Sequence, residues 1–160
     1  MNSEKYPSLF EMTLSLVGSA SLKTGYVSLN RSYSTLKSKI EECGMSMNNF
    51  HIVDAVTKSV IPSPTLHENC IYTNSPKDLT RLSIATTKML RAFGPQYVIF
   101  DSISTLLLYV PVDVAGQFLH AITNKVIAFG SRCILLSVEG ENEQRLIKSL
   151  SMCIDKVVRI

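Results

Sequence analysis

The stretch Tyr97–Leu108 reads YVIFDSISTLLL. An unbroken apolar run climbs to Asp101, then come two serines and a second apolar run. A segment apolar on both faces is the mark of a strand in the interior of a parallel sheet, where helices cover both sides. In such sheets the functional groups gather beyond the carboxyl ends of the strands, which makes Asp101 the first residue to examine. Two roles are open to it. It can hold a divalent cation, or its carboxylate can cap the segment that follows by accepting backbone N–H groups.

Working outward, strand and helix patterns alternate. GYVSLN (25–30), NFHIVDAV (49–56), NCIYTN (69–74), CILLSVEG (133–140) and IDKVVRI (154–160) read as strands beside YVIFDS. Tyr33, Leu36, Ile40 and Cys43 recur at helical spacing before Gly44, and the pair Ser75-Pro76 reads as the start of a long helix that Gly94-Pro95 stops. Val112–Phe129 and Glu143–Met152 read as two more helices, and the proline-bearing TKSVIPSPTLHEN as a loop. Residues 1–24 are open to two readings: TLSLVG alone could be a strand, but a helix is preferred, because SASLKT is too short for the crossover that two parallel neighbours need. The expected fold is therefore a three-layer α/β/α domain with a mainly parallel sheet, YVIFD and CILLS at its centre, and residues 25–160 as its core.

Composition narrows the partners. With 160 residues, 46% of them apolar and 18% charged, the chain can bury one core. The net charge of +3 is spread along the sequence rather than gathered into a basic stripe, so nucleic acid is not an expected partner. The start MNSEKYPSLFEM lacks the pattern of a leader, and no apolar run reaches the length of a membrane span. Cys43, Cys70, Cys133 and Cys153 show no metal spacing and read as reduced, mostly buried residues of a cytoplasmic protein. His51, His67 and His120 fall on different elements without a second ligand at i+3 or i+4, which favours structural or surface roles.

Apolar residues ending in Asp form the Walker B pattern, whose aspartate holds Mg²⁺ beside nucleotide phosphates. With GYVSLNRSYSTL, YVIFDSISTLLLY, FLHAITNKVIAFG, CILLSVEG and LSMCIDKVVRI in this order, residues 25–160 resemble the RecA/KaiC-like P-loop ATPase core. The resemblance is stronger to degenerate KaiC-like domains of archaeal proteins of unknown function. It implies a RecA-like sheet and a nucleotide site of which Asp101, Ser102, Asn30, Arg31 and Glu139 would be the remnant.

The departures from that family are informative. A phosphate cradle needs GxxxxGK[ST] between a strand and a helix. Gly18-Ser-Ala-Ser-Leu-Lys23-Thr24 lacks the second glycine and precedes a strand instead. KaiC-like ATPases carry glutamates after the strand that corresponds to GYVSLN. This chain has Asn30-Arg31-Ser32, and neither asparagine nor arginine can serve as a general base there. Ser102 and Ser104 lack a GxSxG context and read as turn residues. Glu139, Glu141 and Glu143 would form an acidic rim near Asp101 if their strands are neighbours, and Lys23 and Arg31 could attract an anion, but a solvated surface is the preferred reading of both groups.

The resulting expectation is a non-catalytic KaiC-like domain without catalytic residues, metal or cofactor. It would act through a protein partner or self-association. The alternatives are a domain that binds ATP with Mg²⁺, alone or completed by a partner chain, and an enzyme unrelated to ATP that uses the strand-end acids and serines.

Overall fold

A computed structural model of the chain describes residues 5–19 and 21–158. Helix α1 (Lys5–Ser19) leads into strand β1 (Thr24–Ser28), then helix α2 (Tyr33–Glu42) and strand β2 (Phe50–Asp54). A short helix α3 (Thr57–Val60) and strand β3 (Cys70–Tyr72) follow, then helix α4 (Leu79–Phe93) and strand β4 (Tyr97–Asp101). Helices α5 (Ile103–Tyr109) and α6 (Val112–Ala128), strand β5 (Arg132–Leu136) and helix α7 (Glu141–Ser149) complete the described chain. The five strands form one sheet in the order β3-β2-β1-β4-β5, and every neighbouring pair is parallel.

The alternation of side chains along each strand sorts the sheet into two cores. Val27, Val53, Val98, Phe100 and Leu135 face α4, α5, α6 and α7, where Leu82, Met89, Leu106, Leu119, Ile122 and Leu146 meet them. Tyr26, Phe50, Ile52, Ile99 and Leu136 face the other way, onto Phe10, Leu14 and Val17 of α1 and Leu36 and Ile40 of α2. The result is the expected α/β/α sandwich with a parallel sheet.

Three expectations about elements are corrected. CILLS is not central: among the described residues β5 lies at the edge, and β1 is the middle strand. Its apolar character has another cause, since Cys133 and Leu135 pack in one core and Ile134 and Leu136 in the other. Residues 155–158 form no strand. They are exposed and carry no ladder bonds, whereas residues 159 and 160 lie outside the described part. The long helix begins at Leu79, because Asp78 caps it by accepting Arg81 N at 3.0 Å, while Ser75-Pro76 forms the turn before it. Gly94, with φ of 60°, takes the left-handed conformation that ends α4.

The cysteines are also less buried than expected. Cys43 is exposed and the other three are half-buried, all of them free thiols. Burial pushes the Cys70 and Cys133 thiols up to about 12, which keeps them protonated and unreactive near neutral pH.

Candidate functional site

The carboxyl ends of β2, β1 and β4 stand in register, with Ser28 paired to Asp54 on one side and to Asp101 on the other. Registered partners in a parallel pair point to the same face, so the three polar side chains form a row directed towards α1 and α2. All three are fully buried. Buried polar groups need partners, and each of these has a distinct set.

Asp54 caps two segments at once. Its Oδ2 accepts Tyr33 N at 2.7 Å, at the start of α2, and its Oδ1 accepts Val56 N and Thr57 N at 2.8 and 2.9 Å. Ser28 holds the loop between β1 and α2. Its hydroxyl donates to Arg31 O at 2.6 Å and accepts from Arg31 N at 3.0 Å. Fixing Arg31 in this way aims its side chain at the third member of the row.

Asp101 receives that side chain. Arg31 Nη1 donates to Asp101 Oδ2 at 2.7 Å, an ion pair whose arginine side chain is 18% exposed and whose aspartate is not exposed at all. The Tyr26 hydroxyl donates to the same oxygen at 2.5 Å, and Asn30 Nδ2 reaches Oδ1 at 3.4 Å. Above the pair lies the ring of Phe10, 4.1 Å from the Arg31 guanidinium carbon, and Phe10 also meets Tyr26 edge-on at 6.1 Å. A helix that precedes the sheet therefore covers the strand-end carboxylate with an aromatic ring.

Electrostatics at this point are a contest. Burial pushes the Asp101 carboxyl up, to about 7. The adjoining guanidinium and the two other donors favour the carboxylate and oppose that rise. Burial likewise raises the Tyr26 phenol well above its ordinary value, so it remains a hydrogen-bond donor throughout the neutral range.

The remaining sequence candidates separate. Asp101 does not cap the following helix. Ser102 does so, with its hydroxyl accepting Thr105 N at 3.2 Å, and the Asp101–Ser102 peptide bond is cis. Ser104 accepts Val138 N at 2.9 Å and thereby ties α5 to the segment after β5. Glu139 is exposed on that segment and makes no ion pair among the described residues. Glu141 and Glu143 lie in the first turn of α7, where the helix dipole favours negative charge. Lys23 stands before the amino end of β1, opposite to Asp101, with its ammonium 5.4 Å from the Phe93 ring. The Gly18–Thr24 stretch thus joins a helix to the start of a strand, the reverse of the order in a phosphate-binding loop. Tyr26 and Phe10 were not singled out from the sequence. The parallel register makes Tyr26 a diagonal neighbour of Asp101 on the same face, but Phe10 is brought in only by the packing of α1.

A bound Mg²⁺ does not fit these residues. It would have to displace a guanidinium from a carboxylate with no solvent exposure, under an aromatic ring. Among the described residues no group of three or more His, Cys, Asp or Glu is arranged to hold a metal. His51 has a buried Nδ1 without a hydrogen-bond partner and packs against Phe93 at 5.6 Å.

A parallel five-stranded sheet between helices is an α/β architecture consistent with a RecA-like fold. The chain belongs to a family of unknown function (DUF7504), whose pattern matches residues 13–160. Among solved structures it is similar to a KaiC-like protein from the hyperthermophilic archaeon Pyrococcus horikoshii OT3, with a TM-score of 0.54 and 16% identity. The similarity covers 76% of this chain and 52% of that one, so this chain spans about half the length of its structural neighbour. No curated protein matches the sequence. No helix among the described residues is long and apolar enough to cross a membrane.

Proposed function

We propose that this domain keeps the RecA/KaiC-like frame without its ATPase chemistry and works through protein contacts, as a regulatory or scaffolding module. One observation supports this above the others: the carboxylate at the Walker B position is consumed by an internal ion pair with Arg31. In a phosphoryl-transfer site that group must face a metal ion and phosphates. Here it faces a guanidinium that arises from the loop where KaiC-like ATPases place glutamates. The degenerate phosphate loop is part of the same proposal, as are the absence of a cofactor and a cytoplasmic setting.

Isothermal titration calorimetry with ATP and ADP, each with Mg²⁺, tests the proposal directly. The expected result is no saturable heat, together with ATP turnover equal to that of Asp101→Ala. Turnover that depends on Mg²⁺ and disappears in Asp101→Ala would establish an ATPase instead.

A further inference from the structure

The outer side of α4 and α6 carries a groove of about 260 Å³, lined by Ser83, Ile84, Thr87, Lys88, Arg91 and Lys125. That volume is below the roughly 300–1,000 Å³ of sites built for small molecules, and suits one large side chain. No acid lines it, and α4 has none anywhere between Leu79 and Phe93. Lys88 and Arg91 make no ion pair among the described residues, and the Lys125 ammonium donates to Ser83 Oγ at 2.9 Å. The helix dipole accounts for basic residues in the last turns of α4 and α6, which are Arg91 and Lys125. It does not account for Lys88, nor for Ile84, which is 51% exposed between the charges.

We propose that this groove docks a short acidic peptide segment of a protein partner, with one aliphatic or aromatic side chain seated on Ile84 and flanking carboxylates on Lys88, Arg91 and Lys125. The inference rests on the contact-module function proposed above and names the surface and the chemistry of the partner. Charge complementarity commits the occupant: every charged residue lining the groove is cationic, while the aliphatic stems of its lysines and arginine join Ile84 in an apolar floor. From Ile84 to Arg91 a helix rises about 10 Å, the length of about three residues of extended chain. The recognised unit is therefore short, one apolar residue with acidic residues next to it. A nucleic acid would need a longer basic track and gains nothing from an apolar floor.

Fluorescence anisotropy on the full chain tests this, with a labelled twelve-residue peptide of alternating glutamate and leucine as probe. The comparison probes are polyglutamate of equal length and a single-stranded oligonucleotide. The glutamate–leucine peptide should bind with a Kd on the order of 10⁻⁵ M at low salt and weaken several-fold as salt is raised to about 0.3 M. Lys88→Glu/Arg91→Glu should weaken it by about tenfold or more, and Ile84→Ser by a few-fold, both with unchanged thermal midpoints. No binding, or binding indifferent to these variants, overturns the inference. So does equal or tighter binding of polyglutamate or the oligonucleotide. Saturable MgATP binding would instead overturn the pseudo-ATPase function, and leaves the peptide result readable by itself.

Discussion

Arg31 lies 2.7 Å from Asp101, the residue at which the interior strand β4 ends, and Phe10 stacks over its guanidinium. The pair joins the loop after β1 to the tip of β4, two neighbouring strands far apart in sequence. It closes the carboxyl end of β4 off from solvent.

Removing one partner should be much worse than removing both. Arg31→Met leaves a carboxylate buried without its counter-charge, and breaking such a pair costs about 3–5 kcal/mol. Arg31→Met/Asp101→Leu removes the stranded charge and should recover most of that loss. Urea denaturation of the two variants beside the parent at pH 8 measures the difference. If the double variant is no better than the single one, the pair is not the unit of stability.

Asp101 also sets a pH dependence. Burial places its folded value, about 7, above the ordinary 3.8. The native state therefore binds the proton more tightly than the unfolded chain. This contribution is complete below about pH 4 and is lost as pH rises through about 7. Asp101→Asn should flatten the stability profile over that window. Arg31→Met should steepen it, and should cost far less at pH 5 than at pH 8. Midpoints of urea unfolding from pH 4 to 8 provide the check.

His51 works with the opposite sign. Burial lowers its folded value below the ordinary 6.5. Its stability contribution is present above that value and is lost as pH falls through it, because the unfolded chain takes up the proton first. His51→Leu should remove this acid-side loss, and it also deletes the unpartnered Nδ1. The two histidine states can be followed by proton NMR of the ring. A folded value at or above 6.5 contradicts the assignment.

Phe10→Ala should cost about 3–5 kcal/mol, the range for deleting a buried aromatic side chain. It should also wet the ion pair. In the Phe10→Ala background Arg31→Met then becomes cheaper, since Asp101 can be solvated. A double-mutant cycle reads this coupling, and strict additivity would mean that the ring does not cover the pair.

The strands from β1 to β5 were legible because each is a short apolar run bounded by turn residues, and such runs need no tertiary information. Their order was not. Ile134 and Leu136 pack on one face and Cys133 and Leu135 on the other, so an apolar run with contacts on both faces does not by itself distinguish this mostly half-buried edge strand from a fully buried central one. IDKVVRI carries strand-forming valines, but Val157 and Val158 are exposed and without a pairing partner in the described chain.

At the site, Asp101 stood out by position, and Asn30 and Arg31 by what they replace in the resembled family. The ion pair itself depends on the register of β1 against β4, and no local pattern reports that register. Ser102, rather than Asp101, caps α5 for a directional reason. The Asp101 side chain is turned to the α1 and α2 face by the alternation of its strand, away from the helix it precedes.

Phe10 reaches the ion pair from α1, a helix that Leu14 and Val17 anchor in the same core. The charges come from the loop after β1 and the tip of β4, so the pair and its cover are held by different parts of the fold. Loosening α1 would admit water to the pair without breaking it. The docking of one helix thereby sets the dielectric in which the two charges meet.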